Sequence, residues 1–277
     1  MKVVLFCGGL GLRLRSEAET TPKPMVTIGG RPILWHVMRY YAHFGHRDFI
    51  ICLGYGGDAI RQFFQETGGL EGCRVTCVET GLEACVGQRL RAVRSYVQDE
   101  PAFLANYSDG LSDLDLPSYI DQFHRANKIG SFLCVRPTSS FHVVSVDSDG
   151  VVSDIRPAQQ AGLWINGGFF VFKPAIFDYI GDGEDLVEAP FQRLIREGQL
   201  FAYRVKGFWA CMDTFKDRQF LESLHCRGPA PWEVWRHRKI DAHPDLEHHG
   251  FALSQAGTLG SGAIPPGAAR SGGDAGV

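Results

Sequence analysis

The sequence lacks any apolar run long enough to cross a membrane, and it has almost no excess of either charge. No stretch reaches the roughly 20 apolar residues that a spanning helix needs, and no cleavable signal precedes the first apolar run. The 28 basic and 31 acidic residues leave a formal net charge of −3. This balance gives no reason to expect nucleic acid or an anionic membrane as a partner. We therefore expect a cytoplasmic protein that binds phosphate only through locally placed cations.

Two common nucleotide-binding signatures and a zinc pattern are also missing. The first glycine-rich turn does not match Gly-x-Gly-x-x-Gly, and no Gly-Lys-Ser/Thr closes a P-loop. Eight cysteines are present, but Cys73 and Cys77 alternate with Val75 at strand spacing, and no second ligand pair follows them. We therefore expect free thiols and no structural zinc.

The first 25 residues combine a strand, a glycine turn and two cations. Residues 3–7 are consecutively apolar, which predicts a strand buried on both faces. Three glycines in residues 8–11 permit positive φ and let backbone N–H groups converge on phosphate oxygens. Arg13 and Lys23 follow this turn. A purely structural turn is the alternative, but the strand and the cations together favour a nucleoside triphosphate site.

The next part of the chain alternates apolar strand-like runs with amphipathic helical patterns. This order predicts an α/β fold with a mainly parallel, right-handed, doubly wound sheet. Ligands of such sheets bind at the carboxyl ends of the strands. The predicted strands cover residues 49–53, 75–79, 103–107, 131–136 and 164–172, and predicted helices begin near residues 32, 59 and 87.

Three charged residues lie at the ends of predicted strands or at the starts of predicted helices. Asp109 comes directly after strand 103–107, where its hard oxygen atoms are placed to hold Mg²⁺, although an Asp-Gly turn is the alternative. Asp213 precedes the last predicted helix and has the alternative role of its N-terminal cap. Arg89 lies in the first turn of a predicted helix. It is either a solvated cation or a contact to phosphate or base.

The second half of the predicted sheet contains a hairpin and an interrupted strand. Residues 142–146 and 151–155 flank an Asp-Gly pair that predicts the hairpin turn. Asn166 and two glycines interrupt strand 164–172, which marks either a bulge or a closely approaching ligand. The polar amide beside the glycines favours a ligand.

The end of the chain has no periodic apolar pattern. Residues 236–277 are rich in glycine, alanine, serine, proline and histidine, a composition typical of a disordered tail. Adventitious metal binding by the histidines is the alternative, but no strand or helix is predicted to hold them together.

These motifs resemble the sugar-1-phosphate nucleotidylyltransferases. The signature of that family reads Gly-Gly-x-Gly-Thr-Arg-Leu, a spacer, then Lys-Pro-Met; here Leu12 stands at the threonine position. Further matches extend to about residue 235 and look like the glucose-1-phosphate cytidylyltransferases. The matching segments are residues 23–26, 30–36, 165–170, 207–209, 212–214 and 231–235.

The resemblance implies a fold and a reaction. It implies a mixed Rossmann-like domain over residues 1–235, with a nucleotide half of about 1–127 and a sugar-binding half of about 128–227. It also implies a homo-oligomer that uses Mg²⁺. The reaction is transfer of a nucleotidyl group from an NTP to a hexose 1-phosphate, which gives an NDP-sugar and pyrophosphate. CTP and glucose 1-phosphate are the expected pair. The alternatives are another NTP or a modified sugar, or a paralogue that binds nucleotide sugars without catalysis.

The resemblance also assigns residues to roles. In-line attack by a sugar phosphate brings two anions together, so catalysis is mainly charge neutralisation and alignment. The expected catalytic residues are Arg13, Lys23 and Asp109, and the expected metal ligands are Asp109 and Asp213. The expected nucleotide-binding residues are Leu5, Phe6, Cys7, Gly8, Gly9, Leu10, Gly11, Leu12, Arg13, Lys23, Arg89, Ser108 and Asp109. The expected sugar-binding residues are Arg156, Asn166, Gly167 and Glu188.

Four positions depart from the family pattern. Leu12 replaces a threonine, and Ser108 replaces a glycine that lets the backbone approach the nucleotide. Ala84 stands where the cytidylyltransferases have a threonine near the base. Arg156 replaces the lysine that grips the sugar phosphate, and its planar fork is not equivalent to an ammonium. The departures leave the base and the sugar open, whereas the charged residues of the phosphate chemistry are all present.

Overall fold

The computed structural model describes residues 1–9, 21–138 and 141–236, all within the unit Met1–Lys239. The predicted tail 236–277, apart from Arg236, and the site residues Leu10, Gly11, Leu12 and Arg13 lie outside these residues. The strands are β1 (Val3–Phe6), β2 (Thr27–Ile28), β3 (Arg31–Pro32), β4 (Asp48–Leu53), β5 (Arg74–Glu79), β6 (Phe103–Asn106), β7 (Gly110–Ser112), β8 (Gly130–Val135), β9 (His142–Val146), β10 (Val152–Pro157), β11 (Ile165–Phe172), β12 (Leu200–Arg204) and β13 (Trp209–Cys211). The α-helices are α1 (Ile33–His43), α2 (Gly57–Thr67), α3 (Val86–Ala92), α4 (Arg94–Val97), α5 (Leu116–Ala126), α6 (Ala189–Arg196) and α7 (Phe215–Cys226).

A seven-stranded sheet with the order β12-β8-β11-β6-β1-β4-β5 forms the centre of the molecule. Its neighbours β6, β1, β4 and β5 are parallel, as are β8 and β12. Strand β11 runs antiparallel to both β6 and β8, so β8 again points the same way as β6. This mixed, mainly parallel sheet confirms the predicted fold class. Its parallel strands present their carboxyl ends at one edge, where ligands of such sheets bind.

The first strand is buried on both faces, as its apolar run predicts. Val3 and Leu5 pack into the core on one face of the sheet, whereas Val4 and Phe6 pack into the core on the other. The alternation follows from the two-residue period of a strand. Helices therefore cover both faces of β1, and its last residues lie at the carboxyl edge of the sheet.

Two local predictions need correction. Helix α1 begins at Ile33, and Pro32 belongs to β3 instead of the first helical turn. The glycines after Asn166 form a bulge, because the β11–β8 register shifts between Asn166 and Phe170. Gly168 has φ +74°, and a Cβ there would collide with the Tyr107 ring. Close packing of this ring therefore explains why glycine stands at position 168.

Strands β9 and β10 pair as an antiparallel hairpin apart from the main sheet. The Asp147 carboxylate accepts hydrogen bonds from the N–H groups of Asp149 and Val151, which closes the predicted turn. Within the described part of the chain, no helix has the length and apolar character that crossing a membrane requires.

Candidate active site

A cavity of about 510 Å³ opens at the carboxyl edge of the sheet. The ends of β1 and β6 supply part of its wall, including Phe6, Cys7 and Tyr107. Further lining residues are Gly9, Lys23, Pro24, Ala84, Cys85, Val86, Arg89, Ser108, Asp109, Asp185 and Asp213. The position agrees with the rule for parallel sheets, and residues from distant parts of the chain meet there.

Lys23 joins the two aspartates that the sequence predicts as metal ligands. Its Nζ lies 2.7 Å from Asp109 Oδ2 and 2.6 Å from Asp213 Oδ1. The aspartates meet because β7 pairs with β13, with Gly110 opposite Cys211. The Met212 N–H also donates to the Asp109 carbonyl oxygen at 3.0 Å. Strand pairing thus fixes one carboxylate beside the other.

Burial shapes the charges of this cluster. Desolvation raises the pKa of Asp109, against the opposing attraction of the Lys23 ammonium. Burial works to lower the pKa of Lys23, but the two carboxylates outweigh it and the net shift is upward. Lys23 therefore stays positively charged in neutral solution.

The two carboxylates fit a magnesium ion. Their hard oxygen atoms are the ligands that Mg²⁺ prefers, and it usually takes one or two protein carboxylates together with substrate phosphates and water. In residues 1–9, 21–138 and 141–236 no third acidic, histidine or cysteine ligand completes a metal-binding group. Asp213 is not the cap of α7: Thr214 is, because its hydroxyl accepts the Asp217 N–H.

Ser108 holds a backbone conformation that favours glycine. Its φ is +66°, in the left-handed region that L-residues rarely adopt. The Ser108 hydroxyl donates to the Phe6 carbonyl oxygen at 2.8 Å, and its N–H donates to Asn106 Oδ1 at 2.8 Å. These bonds hold the turn between Tyr107 and Asp109 against the end of β1. The positive φ gives a physical reason for the glycine that the family carries here.

The structure changes the interpretation of Arg89. The residue is only 3% exposed, so it is not the solvated cation that was one alternative. It lines the cavity, but its guanidinium donates to protein acceptors at the ends of three strands. Those acceptors are the carbonyl oxygens of Gly8, Leu53, Gly81 and Leu82 and the hydroxyl of Thr80. A Cβ at Gly8 or Gly54 would collide with this guanidinium. Arg89 therefore holds the strand ends together through Nη1 and Nη2, and its predicted contact with a nucleotide remains a prediction.

The predicted sugar-binding residues separate into two groups. Asn166 contacts the cavity wall, because its Nδ2 donates to the Tyr107 hydroxyl at 3.1 Å. Gly167 does not line the cavity, and its carbonyl oxygen accepts the Trp209 Nε1–H at 2.8 Å. Arg156 instead lies exposed on β10, paired with Asp154, and Glu188 lies exposed before α6. Neither lines the cavity. The structure thus does not bring these two to the site.

Sequence reasoning missed two polar residues that line the cavity. The apolar pattern predicts Tyr107 only as the last residue of a strand. Its position directly before Ser108 and Asp109 could have identified it as a residue of the site. Asp185 comes from the segment before α6, and its carboxylate accepts the N–H of Val187 at 3.2 Å. No strand or motif precedes Asp185, so the sequence contains no comparable signal for it.

The fold and the site define an α/β protein whose cavity, at the carboxyl edge of the sheet, carries an ammonium between two carboxylates. Residues 2–223 match the family model described as nucleotidyl transferase, and the chain belongs to this family of enzymes.

Named relatives agree with this assignment. The glucose-1-phosphate cytidylyltransferase of Salmonella typhi is 39% identical over 257 residues, covering 85% of this chain and 100% of that protein. The mannose-1-phosphate guanylyltransferase catalytic subunit beta of Xenopus tropicalis is 28% identical over 233 residues, covering 81% and 64%. The solved structure of HddC from Yersinia pseudotuberculosis complexed with GMP-PN superposes with a TM-score of 0.64 at 23% identity, covering 80% and 98%. At this identity the structural likeness shows the fold alone.

Proposed function

We propose that this enzyme transfers a cytidylyl group from CTP to glucose 1-phosphate, with Mg²⁺, to give CDP-glucose and pyrophosphate. The observation that carries the proposal is the convergence of Asp109 and Asp213 on Lys23 in the cavity. Nucleotidyl transfer brings two negatively charged phosphate groups together, so the site must supply positive charge beside them. A metal ion held by the two carboxylates and the Lys23 ammonium would supply that charge. The 39% identical relative supports the choice of CTP and glucose 1-phosphate.

The chemistry is an in-line displacement at the α-phosphorus. An oxygen of the sugar phosphate forms the new P–O bond, and the bond to the bridging oxygen breaks with its electron pair leaving on pyrophosphate. The attacking phosphate is already ionised, so no general base is required. Asp109 and Asp213 would hold Mg²⁺, which when bound supplies positive charge to the phosphates. Lys23 adds a further cation, and Arg13, outside the described residues, is proposed to steady the leaving group.

The walls of the cavity suggest where each substrate binds. We assign the nucleotide to the side formed by Phe6, Cys7, Gly9 and Ser108, at the end of β1. We assign the sugar hydroxyls to Tyr107, positioned by Asn166, and to Asp185. Arg89 supports the nucleotide side through the carbonyl oxygens that it holds. We also propose a homo-oligomer and a boundary between the two halves near residue 127, both implied by the sequence resemblance, and a cytoplasmic location, expected from the lack of a membrane-length apolar run in the sequence.

Pyrophosphate release tests the reaction. We expect turnover with Mg²⁺ when four NTPs are combined with several sugar 1-phosphates, and the highest kcat/KM for CTP with glucose 1-phosphate. Asp109→Asn should lose this activity while it still folds, as judged by circular dichroism. Tight nucleotide binding without turnover for any pair would contradict the proposal and leave a binding paralogue.

Another nucleotide or sugar is a second candidate with its own support. Ala84 lines the cavity without the hydroxyl that the cytidylyltransferases place near the base, and Arg156 lies on the exposed hairpin. The guanylyltransferase relative shows that similar chains are named for other substrates. If another pair in the same grid exceeds CTP with glucose 1-phosphate, this candidate replaces the first.

A further inference from the structure

The Lys23 ammonium lies between the two carboxylates that the proposed function gives to a metal ion. Nζ is 2.7 Å from Asp109 Oδ2 and 2.6 Å from Asp213 Oδ1. These two oxygen atoms come from distant parts of the chain and contact the same ammonium. A cation that bridges the carboxylates through these atoms must therefore lie where the ammonium lies now.

The ammonium and a divalent ion cannot share this point. Mg²⁺ binds oxygen at about 2.1 Å, which is closer than either contact of Nζ, so an ion held by Asp109 Oδ2 and Asp213 Oδ1 would take the place of the ammonium between them. A doubly charged ion also repels an ammonium that remains within a few ångströms. Water screens this repulsion only in part, because the side chains of Lys23, Asp109 and Asp213 are 15%, 21% and 37% exposed. Binding of a divalent ion at these two oxygen atoms thus requires the Lys23 ammonium to leave them.

The Lys23 ammonium can move from the carboxylates into the cavity. It begins a short 3₁₀ turn, Lys23–Met25, in which Pro24 is buried, and it lines the cavity itself. Its flexible four-carbon stem lets the ammonium turn into the cavity while the buried Pro24 stays in place. The phosphates of a bound nucleotide would lie in that cavity, so the displaced cation reaches them directly.

We propose that Lys23 is the resident counter-ion of Asp109 and Asp213, and that its ammonium and a divalent ion occupy the position between them in alternation. The inference rests on the proposed function for the identity of the metal carboxylates. It gives Lys23 two places: between the carboxylates before the ion enters, and beside the phosphates afterwards. Metal entry and delivery of the lysine to the substrate are then one event.

Mn²⁺ binding to the nucleotide-free protein, followed by electron paramagnetic resonance, tests the exchange. Lys23→Met should bind Mn²⁺ at least tenfold more tightly than the wild type, because the competing cation is gone. Lys173→Met is the matched control, since Lys173 contacts only the neutral Asn127 side chain among the described partners, and its Mn²⁺ affinity should equal that of the wild type. Equal or weaker binding by Lys23→Met, or no detectable binding, overturns the proposal.

Two further measurements check where the ion binds and give a readout that does not depend on the folding of Lys23→Met. Adding Asp109→Asn to Lys23→Met should abolish the tight binding, and persistence of that binding would place the ion elsewhere and overturn the proposal. If Lys23→Met does not fold, the wild type still answers the question through acetylation of lysine amines, read by mass spectrometry. Mn²⁺ without nucleotide should raise the labelling of Lys23 several-fold while Lys173 stays constant. Unchanged labelling of Lys23 contradicts the exchange.

Failure of the exchange and failure of the proposed function give different results. If Lys23→Met binds Mn²⁺ more tightly but no NTP and sugar phosphate pair turns over in the wild type, the proposed function fails and the counter-ion role stands. If turnover is normal but Mn²⁺ affinity is the same with and without Lys23, the exchange alone fails.

Discussion

The Lys23 region and the Arg89 region place two cations on one cavity, with different surroundings. Lys23 contacts two carboxylates, which carry full charges. Arg89 contacts four backbone carbonyl oxygens and a hydroxyl at the ends of β1, β4 and β5. Another cation can replace an ammonium between two carboxylates. The Arg89 guanidinium cannot leave its place without breaking the hydrogen bonds that hold the ends of these strands together. Charge alone therefore does not identify a catalytic cation. We expect changes near Lys23 to alter chemistry and changes at Arg89 to alter stability.

The largest effect is expected at the carboxylates of the Lys23 region. Asp109→Asn or Asp213→Asn removes a charge that the proposed metal needs, so kcat for pyrophosphate release should fall about 10³-fold. Nucleotide affinity, measured by calorimetry, should change much less. A wild-type rate in Asp109→Asn would show that this region does not carry the chemistry.

Arg89→Met should have the next largest effect, on stability. It leaves buried carbonyl oxygens without donors, which should cost about 3 kcal/mol of unfolding free energy and lower Tm by roughly 6–12 °C. Arg89→Lys should recover only part of the loss. The lysine ammonium still donates hydrogen bonds, but it has fewer donors than the guanidinium and no planar fork. Thermal unfolding followed by circular dichroism measures both.

Arg91→Met is the matched control for Arg89. Arg91 is exposed and pairs with Asp182, so its loss should change the unfolding free energy by less than about 1 kcal/mol. Equal Tm values for the Arg89 and Arg91 variants would remove the distinction between the two regions.

Asp185→Asn should have a smaller effect, on the sugar substrate. Loss of one charged acceptor for a hydroxyl should raise KM for the sugar 1-phosphate about tenfold, which corresponds to about 1.4 kcal/mol. Glu188→Gln is its control, because Glu188 is exposed and does not line the cavity. A KM that rises for Glu188→Gln and not for Asp185→Asn would restore the assignment made from the sequence.

Ser108, which ties the turn before Asp109 to β1, should give the smallest effect. Ser108→Ala loses the hydrogen bond to the Phe6 carbonyl oxygen and keeps the unfavourable positive φ, so it should lose about 1 kcal/mol of unfolding free energy. Ser108→Gly loses the same bond but relieves the backbone, since glycine adopts positive φ readily. We therefore expect denaturant unfolding to rank Ser108→Gly above Ser108→Ala. The reverse order would show that strain at this turn is unimportant.

Much of the fold and part of the site follow from local sequence. Strand β1 was predictable because five consecutive apolar residues need cover on both faces, and Asp109 because it directly follows a buried strand. Lys23 was identified through its motif and its distance from the glycine turn. Asp185 was not predictable, because its position in the cavity depends on how the segment before α6 packs and not on any nearby pattern.

The alternation of strands and helices, the family resemblance and the presence of charged residues after strand ends can all be identified in the amino-acid sequence. Which of these charges meet depends on how the chain folds. Asp213 reaches Asp109 through the pairing of β13 with β7, and Arg89 finds acceptors at three strand ends, while Arg156 and Glu188 lie away from the cavity. The physical reason is that apolar periodicity acts over a few neighbouring residues, whereas a site is formed by contacts between segments that only the packed sheet brings together.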